Sequence, residues 1–230
     1  MIGAVPRNPN GKLFTWSFSA MNDFDTCPAQ YAAKRYYETT TSEDTEATIW
    51  GTLVHKAMEL RLRDKQPLSS EFAAYEKYAL AIEKLGGEIL CEQQVALTRE
   101  LTPTDWFAPD VWCRGVFDVA VRDGETLYLF DYKTGKVKDN PLQMHIFAAL
   151  ASQVYSGVRK YRTRFLWLKH DHATGEDYTG YDVDKIWPKL IQKAGRMMEA
   201  WDEKVFNCNP SGLCRGWCPV TECIHYRERR

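Results

Sequence analysis

Between Gly115 and Lys133, apolar and polar residues alternate in two short arms around Asp123-Gly124. Val, Phe, Tyr and Leu dominate both arms, and Asp-Gly is a strong hairpin-turn signal. With Asp123 and Gly124 as the loop, Arg122 faces Glu125, Asp118 faces Leu129 and Val116 faces Asp131. Side chains alternate faces with period two, so Asp118, Asp131 and Lys133 are expected on one face. Upstream, residues 1–14 read as an irregular arm, and Ser19 as the cap of a helix reaching about Tyr37 with Phe24, Tyr31 and Tyr36 among its apolar positions. Thr39 to Thr45 is polar and loop-like. A second helix is expected from Glu46 to Asp64. Pro67 interrupts, and Ser70 opens a third helix that ends near Gly86-Gly87. Glu88 to Leu97 alternates as a strand, and Thr102 to Pro109 reads as a loop. Beyond the hairpin, Asp139-Asn140-Pro141 starts a helix running to about Tyr155, with proline near its first position. Arg159 to Leu168 and Glu176 to Val183 read as strands. Asp184 then caps a last helix to about Val205, with Pro188 in its first turn. The order helix, three strands, helix, strand (αβββαβ) is an α/β arrangement around one mixed sheet.

A chain of 230 residues accommodates one well-cored domain. No apolar run reaches the length of a membrane span, and the first ten residues lack a signal-peptide core. A cytoplasmic protein without a membrane partner is therefore expected. The formal net charge of −1 excludes a global basic signature for nucleic acid, so such binding needs a local patch. Arg159, Lys160, Arg162, Arg164 and Lys169 interleave with Tyr161, Phe165 and Trp167, and Arg215, Arg227, Arg229 and Arg230 add charge near the end. Basic residues among exposed aromatics suit a single-strand channel with stacking; a solvated charged face is the plainer alternative. No P-loop sequence occurs in the chain.

Two carboxylates and a lysine on one sheet face are costly to bury without a purpose. They suit a divalent cation and a water nucleophile. Of the seven cysteines, Cys91 and Cys113 sit in apolar strand-like stretches and read as packing residues. Cys27 stands alone, while Cys208, Cys214, Cys218 and Cys223 crowd the end. In a reducing compartment such a cluster points to metal before disulfides.

Four motifs in order carry a resemblance: Gly51-Thr-Leu-Val-His55, Gly115-Val-Phe-Asp118, Asp131-Tyr-Lys133 and Gln143-Met-His-Ile-Phe147. They resemble the GxxxH, GxxD, DxK and QxxxY pattern of the PD-(D/E)XK nuclease superfamily, in its RecB-like exonuclease branch. That branch includes the nuclease domains of recombination helicase–nucleases, CRISPR adaptation nucleases and many phage exonucleases. Phe147 departs from the pattern by lacking the tyrosine hydroxyl. The resemblance implies a restriction-endonuclease-like core and metal-dependent DNA hydrolysis. It also implies Mg²⁺ or Mn²⁺ held by His55, Asp118, Asp131 and the carbonyl of Tyr132, with Lys133 activating water or offsetting charge. Gln143 would orient the site or contact the DNA backbone, and Glu92 would lie near the site; a charged strand edge is the alternative for Glu92.

Iron–sulfur members of the branch use one cysteine before the nuclease motifs and three after. Cys27 matches the first, and Cys214, Cys218 and Cys223 match the trio, with the first gap one residue longer than usual. A [4Fe-4S] cluster is implied. Zinc on the same ligands is the alternative, with His225 or Cys208 able to replace one of them. The whole chain then reads as a single nuclease domain, 1–230, whose segments 1–45 and 206–230 meet at the cysteine site. Its substrate would be DNA, single-stranded or end-resected, in recombination, repair or phage genome processing. A helicase, recombinase or other protein is a possible partner, and a phage-encoded protein would act in the host cytoplasm. Two other readings are a non-catalytic DNA-binding or scaffold module of the same fold, and an adaptation nuclease within a multiprotein complex.

Overall fold

A computed structural model describes residues 5–40, 44–138 and 140–228. Residues 1–4 of the expected arm, residues 41–43 of the expected loop, the helix start at Asp139, and Arg229 and Arg230 lie outside the described residues. The chain forms two compact units, one of Met1–Glu43 with Lys189–Arg230 and one of Asp44–Pro188.

The second unit is built on a six-stranded sheet. Its strands are β1 (Glu88–Leu97), β2 (Pro103–Thr104), β3 (Cys113–Asp123), β4 (Thr126–Lys133), β5 (Lys160–Trp167) and β6 (His172–Thr179), in spatial order β2-β1-β3-β4-β5-β6. Only β4 and β5 are parallel, joined by helix Pro141–Val154. The mixed sheet flanked by helices is the expected α/β class. In the chain order of helices, Phe18–Thr26 is α1, Pro28–Tyr31 α2, Glu46–Arg63 α3, Glu76–Glu83 α4, Pro141–Val154 α5 and Gly180–Glu203 α6.

The hairpin register differs from expectation by two residues. Asp123 pairs with Thr126 and Arg122 with Leu127, so Gly124 and Glu125 form the loop. An Asp-Gly loop would need positive φ at both residues, but of the pair only Gly124 takes it (φ +56°). A slip by an even number leaves every side chain on its face. The paired residues keep their faces although the pairing changes, and the registered pairs end at Val119 and Phe130, before Asp118 and Asp131.

Helix α3 starts at a capping box in which Thr45 and Thr48 bond each other's backbone N–H. Its Val54, Met58 and Leu62 pack with Ala79 and Ile82 of α4 onto sheet residues including Cys91, Val119, Val121 and Tyr132. Cys91 and Cys113 are indeed buried packing residues. Helix α5 is nearly all apolar and covers the sheet. Phe147 meets Phe117 edge to face at 5.2 Å, and a Cβ on Gly115 would stand 2.5 Å from Leu150 Cδ1.

Several boundaries move. The expected third helix is a 3₁₀ turn at Ala73–Tyr75 followed by α4. The loop from Thr102 contains β2, which adds an edge strand to Ala96 and Leu97. The last strand runs His172–Thr179, and α6 begins at Gly180, where Asp182 accepts the Thr179 N–H. Pro188 consequently lies inside α6 rather than in its first turn.

In the first unit, Ser17 rather than Ser19 caps α1. The single helix expected to Tyr37 is broken at Cys27, which is extended (φ −163°, ψ 111°). Pro28 explains this, because proline disfavours helical backbone at the preceding residue. After α2 the chain makes a π-helical turn over Ala32–Tyr36. Phe14, Tyr31, Tyr36 and Trp201 form an aromatic core, with Trp201 Nε1 donating to Tyr31 Oη at 2.9 Å.

Leu150 is fully buried, so it cannot swing aside for a larger residue at position 115. Gly115→Ala should therefore cost about 1–3 kcal/mol, the usual range for overpacking. Urea unfolding should show a lower midpoint with an unchanged slope. An unchanged midpoint would contradict the packing argument.

Candidate active site

Helix α3 approaches the end of β4 closely. A Cβ on Gly51 would lie 3.3 Å from Thr134 Oγ1, so a bare backbone at this position lets the helix settle there. One turn later on the same face, His55 reaches the carbonyl of Tyr132 with Nε2 at 3.0 Å and the carboxylate of Asp118 with Nδ1 at 3.3 Å. The spacing of Gly51 and His55 thus serves one approach.

The β3–β4 ladder has its last registered pair at Val119 and Phe130, one residue short of Asp118 and Asp131. Past it, Tyr132 N–H donates to Asp118 Oδ2 at 2.7 Å. The carboxylate takes the backbone donor that a continued ladder would have used. Asp131 points to α5: Gln143 Nε2 donates to its Oδ1 at 2.6 Å, and Lys133 Nζ lies 2.6 Å from its Oδ2. Lys133 also donates to Gln143 Oε1 at 3.0 Å, which closes a triangle. Under the lysine lies Phe165, its ring centroid 4.8 Å from Nζ. The parallel register sets Phe165 beside Asp131.

On β1, Cys91 pairs with Val119 and Gln93 with Phe117, which puts Glu92 across from Asp118. Glu92 has φ +51° inside a strand. Left-handed backbone costs a non-glycine residue about 1–2 kcal/mol and clusters at functional sites. Ligand atoms of His55, Glu92 and Asp118 all lie within 4.8 Å of one another. Asp131 is outside that group, tied instead to Lys133 and Gln143.

The charges are crowded. Burial and then the charge of Asp118 push Glu92 up. Asp131 is raised by the same two influences in the same order, against the pull of Lys133. Burial would lower His55, but its hydrogen bond to Asp118 and the charges of Asp118 and Asp131 outweigh it and raise the imidazole to about 9.

The family model for the PD-(D/E)XK nuclease superfamily matches residues 15–223. The chain belongs to the PD-(D/E)XK nuclease superfamily. Among solved structures it is similar to a "Putative exonuclease" from Eubacterium rectale, at 14% identity, TM-score 0.53, over 87% of this chain and 86% of that one. It also matches SSO0001 at 13% identity and TM-score 0.42, over 93% of this chain and 88% of that one. The first of these likenesses is one of fold. No curated protein matches the sequence.

PD-(D/E)XK nucleases use divalent metals, and the donor set here fits one. Two carboxylates and an imidazole converge, with a backbone carbonyl in reach of the imidazole. Asp131 Oδ2 is buried, and among the described residues its partner is Lys133 Nζ at 2.6 Å. A cation would relieve the carboxylate crowding that raises Glu92 and Asp131.

The cysteines gather in the first unit. Cys27, Cys208, Cys214, Cys218, Cys223 and His225 line one cavity. Asn209 N–H points at Cys27 Sγ (3.4 Å) and Ser211 N–H at Cys214 Sγ (3.4 Å), while Cys208 Sγ and Cys223 Sγ are 3.8 Å apart.

The stacking channel is not formed by the expected aromatics. Tyr161, Phe165 and Trp167 are all buried, because β5 is an inner strand between β4 and β6. Arg162 and Arg164 pair with Asp177, and Arg159 with Glu125. Sequence reasoning missed the place of Phe165 beneath Lys133, since a parallel register is set only once α5 has crossed over. It also missed the backbone of Glu92, for which the sequence carries no signal.

A raised His55 is a cation whose stabilising contribution is full below its ordinary value of 6.5 and is lost as pH rises through about 9. In the metal-free protein, NMR titration of the His55 ring should give a midpoint near 9. Added Mg²⁺ should lower that midpoint, because a second cation disfavours the protonated ring. A midpoint near 6.5, or indifference to Mg²⁺, would contradict the electrostatic picture.

Proposed function

We propose that this nuclease is a RecB-like deoxyribonuclease, an exonuclease that hydrolyses DNA phosphodiesters by in-line attack of water. The convergence of His55, Glu92 and Asp118 beside the Asp131–Lys133–Gln143 triangle carries this reading. His55, Asp118, Asp131 and the Tyr132 carbonyl are the ligands for Mg²⁺ or Mn²⁺, with Glu92 as a further oxygen donor at the same place. When bound, the cation supplies Lewis acidity to the scissile phosphate and the water.

The chain's own groups do the rest. Lys133, held by Gln143 and over Phe165, orients the attacking water and offsets charge developing on the phosphate oxygens. Gln143 fixes Oδ1 of Asp131, and Lys133 lies against Oδ2, the oxygen it would share with the cation. We read 1–230 as one nuclease domain acting with a helicase, recombinase or other loading partner in a cytoplasm. A preference for single strands is part of this reading, although burial of the β5 aromatics removes one support for it.

Cys27, Cys214, Cys218 and Cys223 are the proposed ligands of a [4Fe-4S] cluster. Zinc thiolates at about 2.3 Å would draw sulfurs to about 3.8 Å of one another. The four thiols share one cavity with Cys208 and His225, which keeps zinc as the alternative. Iron, sulfide and zinc analysis after anaerobic purification should give iron and sulfide, with a brown colour lost on replacing any of the four cysteines. Stoichiometric zinc without iron would select the alternative.

The activity test is digestion of 5′- and 3′-labelled single- and double-stranded DNA with Mn²⁺, with and without EDTA. Cleavage should require the metal. Asp118→Asn and Asp131→Asn should remove it while the circular dichroism spectrum stays native. Lys133→Met should slow it about 10²–10⁴-fold, the range for losing a positioned proton-transfer group, and leave Mn²⁺ affinity largely intact. Near-wild-type rates in Asp131→Asn would sink the assignment.

A further inference from the structure

Five cysteines line the cavity of the first unit, one more than a four-thiolate centre uses. The surplus residue is Cys208, which is solvent-exposed. Its sulfur lies 3.8 Å from that of Cys223. The other contacts separate this pair from its neighbours. Cys27 and Cys214 each face a backbone N–H, from Asn209 and Ser211. The segment bearing Cys208 is also fixed, because Asn209 Nδ2 donates to Thr26 O at 3.0 Å. Two thiols are therefore held side by side, one open to solvent and the other only half-buried.

We propose that Cys208 and Cys223 are a thiol-oxidation site, closed to a disulfide by hydrogen peroxide. Cys208 sulfur attacks one peroxide oxygen, the O–O bond breaks, and a sulfenic acid and one water form. Cys223 sulfur then attacks the sulfenic sulfur, the S–S bond forms and a second water leaves. Two thiols are oxidised by two electrons and the peroxide is reduced to two waters. Burial and the adjoining Cys223 sulfur raise the Cys208 thiol. The site thus works by the nearness of a resolving thiol rather than by unusual acidity.

The disulfide would withdraw Cys223 from the proposed cluster ligands. This consequence rests on the metal reading given above; the disulfide itself does not.

The test treats the anaerobically purified full chain with hydrogen peroxide, blocks remaining thiols, and maps cross-links by mass spectrometry. The expected product is a peptide pair joining Cys208 to Cys223, reversed by dithiothreitol. In parallel, bound metal is followed by absorbance and elemental analysis in the wild type and in Cys208→Ser. Metal should leave the wild type several-fold faster. Cross-links through other cysteines, or over-oxidation of Cys208 without a cross-link, would overturn the proposal, and this arm needs no variant to fold. Equal metal loss in Cys208→Ser would overturn the coupling to the cluster. A protein purified without metal that still forms the Cys208–Cys223 bond would sustain the oxidation site and refute the cluster reading instead.

Discussion

Tyr132 N–H to Asp118 Oδ2, at 2.7 Å, is the bond on which the candidate site depends. It lies where the β3–β4 ladder ends, and a buried backbone donor without a partner there would cost about 1–3 kcal/mol. Satisfying it with a carboxylate does two things. It holds Asp118 in the core at 9% exposure, and it leaves the Tyr132 carbonyl for His55. Glu92 across the sheet and Asp131 on the next strand then meet a fixed negative charge. Burial and then the charge of Asp118 raise Glu92 and Asp131, and the bond and charge of Asp118 raise His55 against its burial.

The site's parts come from elements that the core already positions. Helix α3 is anchored by Val54, Met58 and Leu62, so His55 is presented by a packed element rather than a loop. Helix α5 is anchored by Phe147 against Phe117 and Leu150 against Gly115, and this fixes Gln143 at its first turn. Phe147 stands where the QxxxY pattern has tyrosine. In this chain the position makes a core contact, and no hydroxyl is needed for it.

Much of this was legible in the sequence for a physical reason. Strand alternation has period two, so a hairpin register wrong by two left the faces of the paired residues unchanged. The helix from Glu46 and the proline at the start of α5 were read from local chemistry alone. What escaped depends on nonlocal pairing. The inner position of β5 turned Tyr161, Phe165 and Trp167 from presumed stacking residues into core. The break at Cys27 was readable, since Pro28 follows it, but an apolar pattern running to Tyr37 masked the signal. The left-handed Glu92 has no local signature.

On the proposed reading, His55, Glu92 and Asp118, with Asp131 adjoining, form one cation site. The most direct test is a crystal structure of the protein grown with Mn²⁺, using anomalous scattering to locate the ion. A peak is expected bonded to His55, Asp118 and Asp131, with Tyr132 O or Glu92 completing the protein ligands and the Tyr132 N–H bond to Asp118 retained. An ion bound elsewhere with His55 still bridging Asp118 and Tyr132, or no peak at saturating Mn²⁺, would contradict it.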